Sequence, residues 1–418
     1  MKDIISIKEK RIMIDGHLQF NIKGLSSYQE VTLQAEAQDD IGRTWKSFGI
    51  FIADENGNIE LDKSSPIKGS YMNCSPEGLL WSMTPENNNE LPLFLKTTLK
   101  PFKITLRLIS EEVVLDEKII QMDFLDPNTE MVTIENEIIG KYFRPSNKTN
   151  LPAILVLGGS SGGFIWSEQV ASVLSSRGYA ALALNYFDYQ STYGVPNQLI
   201  EIPLEYSLKA LDWLRNRPEV NTNKIGIIGI SKGAELSLLI ASISSYSLAG
   251  VIAYSPSSHI FEGIAMGEHP KKSSWSFNGE PMNFIRYPED TSFNMNMDSA
   301  TLLEIHARAL RQASPQQKEE SRIKVEKINC PILMISGEKD HTWPSKEMCD
   351  SIKRTLDMKS YSYKHEHLNF SEMGHAFFVP NIPPIVDSCK VMPADVSRAN
   401  RVAWDKSVEF LDINLKTN

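Results

Sequence analysis

Cysteine is scarce in this chain. The four present, Cys74, Cys330, Cys349 and Cys389, show no CxxC spacing, which argues against a disulfide framework or a zinc ribbon and for reduced thiols. Cys330 precedes the strand-like run Pro331–Ser336, so a buried core thiol is expected there. Long apolar runs are absent too: none approaches the roughly 18 residues of a membrane span. The opening MKDIISIKEKRIMIDG spreads charge where a signal peptide has an apolar stretch, and the closing LKTN is not a peroxisomal address. The expected compartment is the cytoplasm, with no membrane span. Positive charge is in deficit, 43 Lys and Arg against 52 Asp and Glu, for a net −9. A nucleic-acid partner, which needs a basic face, is therefore not expected, although a local cationic patch for an anionic ligand fits such a total.

What is present has two textures. At 418 residues the chain suits two or three domains. Residues 1–130 read as a β-sandwich domain: LQFNIKGL, EVTLQAEAQD and FKITLRLIS alternate or cluster apolar residues, with turn signals at Asn56–Asn58 and Ser75–Gly78. Residues 131–418 change to unbroken apolar runs, AILVLGG, YAALALNY, KIGIIGI, GVIAYSP and PILMISG, as expected of strands buried on both faces. Helical patterns lie between them. One is expected over Trp166–Arg177, closed by Gly178, and another over PLEYSLKALDWLRN. The fold class is α/β, with a mainly parallel sheet. Residues 255–322 break the pattern. They are too long for a simple connection and read as an insertion covering the carboxyl end of the sheet, with a polar helix DSATLLEIHARALRQA. The ENNNE run at 86–90 and the SFNMNMD run at 292–298 read as loops.

The chemistry is concentrated in KIGIIGISKGAELSL. Here Gly229-Ile230-Ser231-Lys232-Gly233 follows a buried strand and opens a helix. This is the nucleophile-elbow pattern, in which a strained corner exposes the serine and small residues on either side avoid backbone collision. The helix N-terminus favours developing negative charge, and the backbone N–H of Lys232 is one candidate oxyanion donor. A serine nucleophile needs a base and an orienting acid. In chain order these fall on Asp340, just past PILMISG, and His375, in the loop MGHAFFVP. Ser345 is expected to cap the helix after Asp340, leaving the carboxylate free. His341 adjoins the acid and is expected to point elsewhere. His365 and His367 have the spacing of a metal pair but no third ligand, and His17, His259, His269 and His306 sit in no motif. The loop LGGSSGGF at 157–164 lacks both the GxGxxG and the GK[ST] patterns. It is read as supplying a second oxyanion donor, Gly159 or Ser160. No metal and no cofactor is expected.

These segments resemble the acyl-CoA thioesterase/bile acid-CoA:amino acid N-acyltransferase family. SKGAE is similar to that family's elbow. EGLLWSM at 77–83 resembles a signature of its N-terminal sandwich, and ISGEKDHTWPS and GHAFFVP resemble its acid and histidine loops. The resemblance implies an immunoglobulin-like β-sandwich ahead of an α/β-hydrolase domain, a triad of Ser231, Asp340 and His375, and acyl-CoA as substrate. GGSSGG, AFFVPNIPP and the middle segment at 257–280 depart from the family pattern. The family's amino-acid-conjugating branch carries cysteine at the elbow, so Ser231 favours hydrolysis over N-acyl transfer. A carboxylesterase or dienelactone-type hydrolase, and a binding protein on an inactive hydrolase fold, are the other readings. The side chain of Lys232 either meets CoA phosphates or pairs with Glu235, and the i,i+3 spacing favours the pair. Lys271 and Lys272 face the same choice, with solvated charge pairs favoured. Self-association into a homo-oligomer is left open.

Overall fold

The computed structural model describes residues 3–87, 92–291, 299–386 and 391–417. Residues 88–90 of the Asn-rich run, the Asn/Met-rich run at 292–298, and Cys389 lie outside them. The chain divides into two compact units. One comprises 1–126, 378–386 and 392–401; the other comprises 127–377, 387–391 and 402–418. Two C-terminal segments thus cluster with the N-terminal unit, which no local pattern in the sequence signals.

In the first unit, Glu30–Gln38, Thr44–Ile52, Phe102–Ser110 and Val113–Asp123 pair antiparallel. Alternate residues are buried, as at Val31, Leu33 and Ala35 or Ile104, Leu106 and Leu108. One face of the sheet therefore packs inward while the other meets water. A second sheet of Ile5–Ile7, Phe20–Ile22 and Ile59–Glu60 belongs to the same unit. The turn at Asn56–Asn58 forms because Asp54 Oδ1 accepts the N–H groups of Asn56 and Asn58 at 2.9 and 2.8 Å.

In the second unit, eight strands form one sheet: β1 (Thr129–Ile134), β2 (Gly140–Pro145), β3 (Leu151–Leu157), β4 (Ala180–Leu184), β5 (Val220–Ile230), β6 (Gly250–Tyr254), β7 (Ile332–Gly337) and β8 (His365–Phe370). Their order is β1-β2-β4-β3-β5-β6-β7-β8. The β1–β2 and β2–β4 pairs are antiparallel and the rest parallel. With helices between successive strands from β3 onward, this is an α/β-hydrolase sheet. Strands β4, β6 and β7 are buried along their whole length, which explains their unbroken apolar sequences. Helix α1 (Ile165–Ser176) ends where Gly178 adopts φ +96°. The N–H groups of Gly178 and Tyr179 then reach the carbonyls of Ser175 and Leu174 at 2.9 and 3.2 Å. Helix α2 (Leu204–Arg215) precedes β5, and α3 (Lys232–Ile243) follows it.

The order reverses at β3, which has β4 on one side and β5 on the other. A crevice is expected at the carboxyl ends there. Leu157, the last residue of β3, lies opposite Gly229 of β5, so the glycine-rich loop and the serine corner leave the sheet side by side. The segment at 255–322 is built rather than loose. Trp275–Phe277 and Glu280–Pro281 join Ile202–Pro203 in a small sheet, and helices α4 (Ser299–Gln312) and α5 (Pro315–Ser321) follow. Its Phe261, Trp275 and Ile285 are fully buried.

One expectation is corrected at α6 (Ser345–Met358). Ser345 is its first helical residue, and the capping position is Pro344. The Ser345 hydroxyl is buried and makes no hydrogen bond among the described residues. Ser345 thus sits inside the first turn, not before it, where a capping oxygen must stand to meet the free N–H groups that follow. Among the described residues, no helix is long and apolar enough to cross a membrane.

Candidate active site

Strand β5 stops at Ile230 and α3 starts at Lys232, so Ser231 must make the whole turn alone. It does so at φ 56°, ψ −122°, a conformation that costs an L-residue about 1–3 kcal/mol. The surroundings hold it there. The Ser231 N–H donates to Tyr254 O at 2.8 Å, and Ser231 O accepts from Ala234 and Glu235 at 2.9 and 3.0 Å. Both flanking glycines are dictated by backbone contact. A Cβ on Gly229 would lie 2.2 Å from Gly233 O, and one on Gly233 would lie 2.2 Å from Gly158 O and 2.4 Å from Leu157 O.

These contacts make Gly233→Ala a test of the corner. The clashing atoms are backbone, so relief requires the glycine loop to move off the helix. The variant is expected to lose at least about 1–3 kcal/mol of stability, with activity falling more than the melting shift explains. A thermal melt and a turnover assay on the same preparation check this. An unchanged Tm and full turnover would mean that the corner is looser than these contacts imply.

The glycine loop passes directly against the serine. A Cβ on Gly159 would lie 3.2 Å from Ser231 Cβ and 3.7 Å from Ser231 Oγ. Ser160, the next residue, is half-buried. Tyr186 anchors the loop by donating its hydroxyl to Gly158 O at 2.6 Å.

Asp340 lies three residues past the end of β7 and His375 five past the end of β8. These neighbouring strands are parallel, so both loops emerge at the same edge as the serine corner. There Asp340 Oδ2 meets His375 Nδ1 at 2.8 Å. Asp340 Oδ1 accepts the N–H groups of Thr342 and Trp343 at 2.9 and 3.2 Å, which fixes the carboxylate plane. The bond to a carboxylate places the hydrogen on Nδ1 and leaves Nε2 as the basic nitrogen. Ser255, at the end of β6, ties the two halves of the edge: its N–H reaches Ile335 O at 2.7 Å and its hydroxyl reaches His375 O at 2.8 Å. Trp343 stands edge-on to the His375 ring at 5.8 Å.

The Lys232 side chain turns inward. Its Nζ meets Glu235 Oε1 and Oε2 at 2.9 and 3.1 Å and Ser274 Oγ at 2.8 Å. Burial lowers the pKa of Lys232 and raises that of Glu235. Pairing with Glu235 is thus the outcome, and the ammonium is withdrawn from any external phosphate. Lys271 pairs with Glu289, and Lys272 meets Glu201 at 3.2 Å. His365 and His367 pair with Asp357 and Asp350 at 2.8 and 3.1 Å. Burial holds the Cys330 thiol up at about 12.

Sequence reading passed over three residues here. Ser274 and Trp275 complete the Lys232–Glu235 cluster from the start of a three-residue strand, too short for a period to mark them. His306 is buried beside Trp343, with ring centroids 5.5 Å apart, and burial lowers its pKa to about 4, which favours the neutral ring. A histidine amid the apolar positions of α4 was its only sequence signal.

The chain is similar to known proteins over most of its length. Over 384 residues the chain is 28% identical to "Acyl-coenzyme A thioesterase 2, mitochondrial" of Mus musculus, covering 90% of this chain and 79% of that protein. It is 27% identical over 375 residues to "Acyl-coenzyme A thioesterase 1" of Rattus norvegicus, covering 88% and 84%. A solved α/β hydrolase from a Medee basin deep-sea metagenome library aligns with 70% of this chain and 100% of its own, at 17% identity and a TM-score of 0.43. Residues 15–136 match the family described as "Acyl-CoA thioester hydrolase/BAAT N-terminal region", and residues 202–416 match "BAAT / Acyl-CoA thioester hydrolase C terminal". The second match takes in the serine corner, the Asp340–His375 pair and the insertion together, and with the first it places the chain in the acyl-CoA thioester hydrolase/BAAT family.

Proposed function

We propose that this protein is an acyl-CoA thioesterase, hydrolysing acyl-CoA to free acid and CoA through Ser231, His375 and Asp340 in the 131–418 domain. The observation that carries the reading is the 2.8 Å Asp340–His375 pair at the sheet edge where Ser231 is held at φ 56°. Ser231 Oγ attacks the thioester carbonyl carbon while His375 Nε2 takes its proton. The carbonyl oxygen becomes an oxyanion, held by the N–H groups of Lys232 and of Gly159 or Ser160. As the C–S bond breaks, the imidazolium returns the proton to the CoA sulfur. Water then adds to the acyl-enzyme with His375 again as base, and as the C–Oγ bond breaks the imidazolium returns the proton to Ser231 Oγ and the acid departs. Asp340 holds the Nδ1–H tautomer and stabilises the imidazolium. The cytoplasm is the compartment proposed with this activity, supported by Cys74, Cys330 and Cys349 standing as free thiols.

The test is thiol release from acyl-CoAs of graded chain length, with and without glycine or taurine. Release without amine, selective for chain length, is the expected result. Release that requires the amine would make the protein an N-acyltransferase, the activity implied by the other half of the family's description. Turnover of simple esters with no acyl-CoA cleaved would overturn the substrate.

A further inference from the structure

Two features of the site come from distant parts of the chain: the elbow at 229–233 and the glycine loop at 157–164. Each is held by a buried side chain. Lys232 is fixed through Glu235, whose Oε1 also accepts Trp275 Nε1 at 2.6 Å. The loop is fixed through Tyr186, which donates to Gly158 O. The indole of Trp275 packs on the Tyr186 ring with centroids 5.8 Å apart. Trp275 therefore touches both holders, and it is fully buried.

The cluster is also more elaborate than packing requires. A buried ion pair is often no more stable than apolar residues of the same volume. Here the pair is given directional partners on every side. Ser274 Oγ receives the ammonium and is placed against the carbonyls of Phe261 and Glu262 at 2.9 and 3.1 Å. Trp275 Nε1 fixes the carboxylate. Such bonds set angles and distances, which apolar contact does not.

We infer that Trp275, carried on the insertion, is the positioning residue of the oxyanion site. It sets the elbow through Glu235 and Lys232, and the glycine loop through Tyr186, so that the two backbone N–H donors converge on one oxygen. This rests on the thioesterase reading only for the natural substrate, since any ester attacked by Ser231 develops the same oxyanion.

Trp275→Phe keeps most of the ring and removes the N–H, and Tyr186→Phe removes only the hydroxyl. Outright loss of one oxyanion donor costs about 10²–10³-fold in kcat. Misplacement is expected to cost roughly 10- to 100-fold, with KM within about twofold. The double variant should fall short of the product of the two losses, because both act on one geometry. Two probes separate positioning from bulk structure. An alkylthio trifluoromethyl ketone, which forms a hemiketal with the serine, should weaken in parallel with kcat. An S-alkyl-CoA thioether, which forms no adduct, should bind as to wild type. A kcat unchanged in both single variants, or thioether binding lost in step with kcat, would overturn the inference; the second result would make Trp275 a wall of the substrate site. If Trp275→Phe fails to fold, Tyr186→Phe decides by the same readouts. All measurements are repeated on p-nitrophenyl acetate. Wild type that cleaves this ester and no acyl-CoA refutes the thioesterase reading while Trp275 is still judged on the ester. Wild type that cleaves neither refutes both.

Discussion

Ser231→Ala is expected to lower kcat for acyl-CoA hydrolysis by roughly 10⁶-fold with little change in KM. In the proposed mechanism Oγ is the attacking atom, so no acyl-enzyme forms without it. What survives is the smaller effect of binding and of the oxyanion donors acting on attack by water. His375→Ala should cost about as much, and Ser231→Ala with His375→Ala no more than either alone, because the groups act as one unit. The fold should be indifferent to the loss of Oγ: alanine meets the same backbone at φ 56° as serine does, so Tm should hardly move. Thiol-release progress curves at high enzyme concentration, beside melting curves, test this. Retention of more than about a hundredth of wild-type turnover would place the nucleophile elsewhere.

The elements from which that prediction starts were legible because each has a local signature. Strands β4, β6 and β7 read as apolar runs because both faces are covered. The elbow read as Gly-x-Ser-x-Gly because residues 229 and 233 abut backbone oxygens at distances no Cβ tolerates. Asp340 and His375 stood out by chain order and by their places after strand-like runs. The parts that were not legible depend on contacts distant in sequence. Glu235 and Trp275 are 40 residues apart, and Trp275 opens a strand of only three residues, too short for a period of 2 to show. Residues 378–386 and 392–401 cluster with a unit whose other residues end at 126, and no spacing rule reports that. Ser345 failed for a local reason. Its sequence suits a cap, but the helix begins at Ser345 itself, one residue earlier than a serine cap there requires, so its hydroxyl falls inside the first turn.

The two N–H groups that Asp340 Oδ1 accepts give the second large prediction. Asp340→Asn is expected to lower kcat by roughly 10⁴-fold at neutral pH, for a reason specific to this loop. The N–H groups of Thr342 and Trp343 both point at the Oδ1 position, so the amide oxygen must occupy it, and the amide NH₂ is forced to the Oδ2 position, 2.8 Å from His375 Nδ1. A donor there demands that Nδ1 accept, which moves the ring hydrogen to Nε2. The imidazole then presents N–H to Ser231 where a base is needed. Backbone and packing are otherwise preserved, so Tm and KM should stay near wild type while kcat collapses. Nitrogen NMR of the His375 ring reports the tautomer directly: protonated at Nδ1 in wild type, at Nε2 in the variant. A variant that keeps the Nδ1–H tautomer and turns over within tenfold of wild type would show that Asp340 neither orients His375 nor serves the reaction, and the acid would have to be sought on another loop.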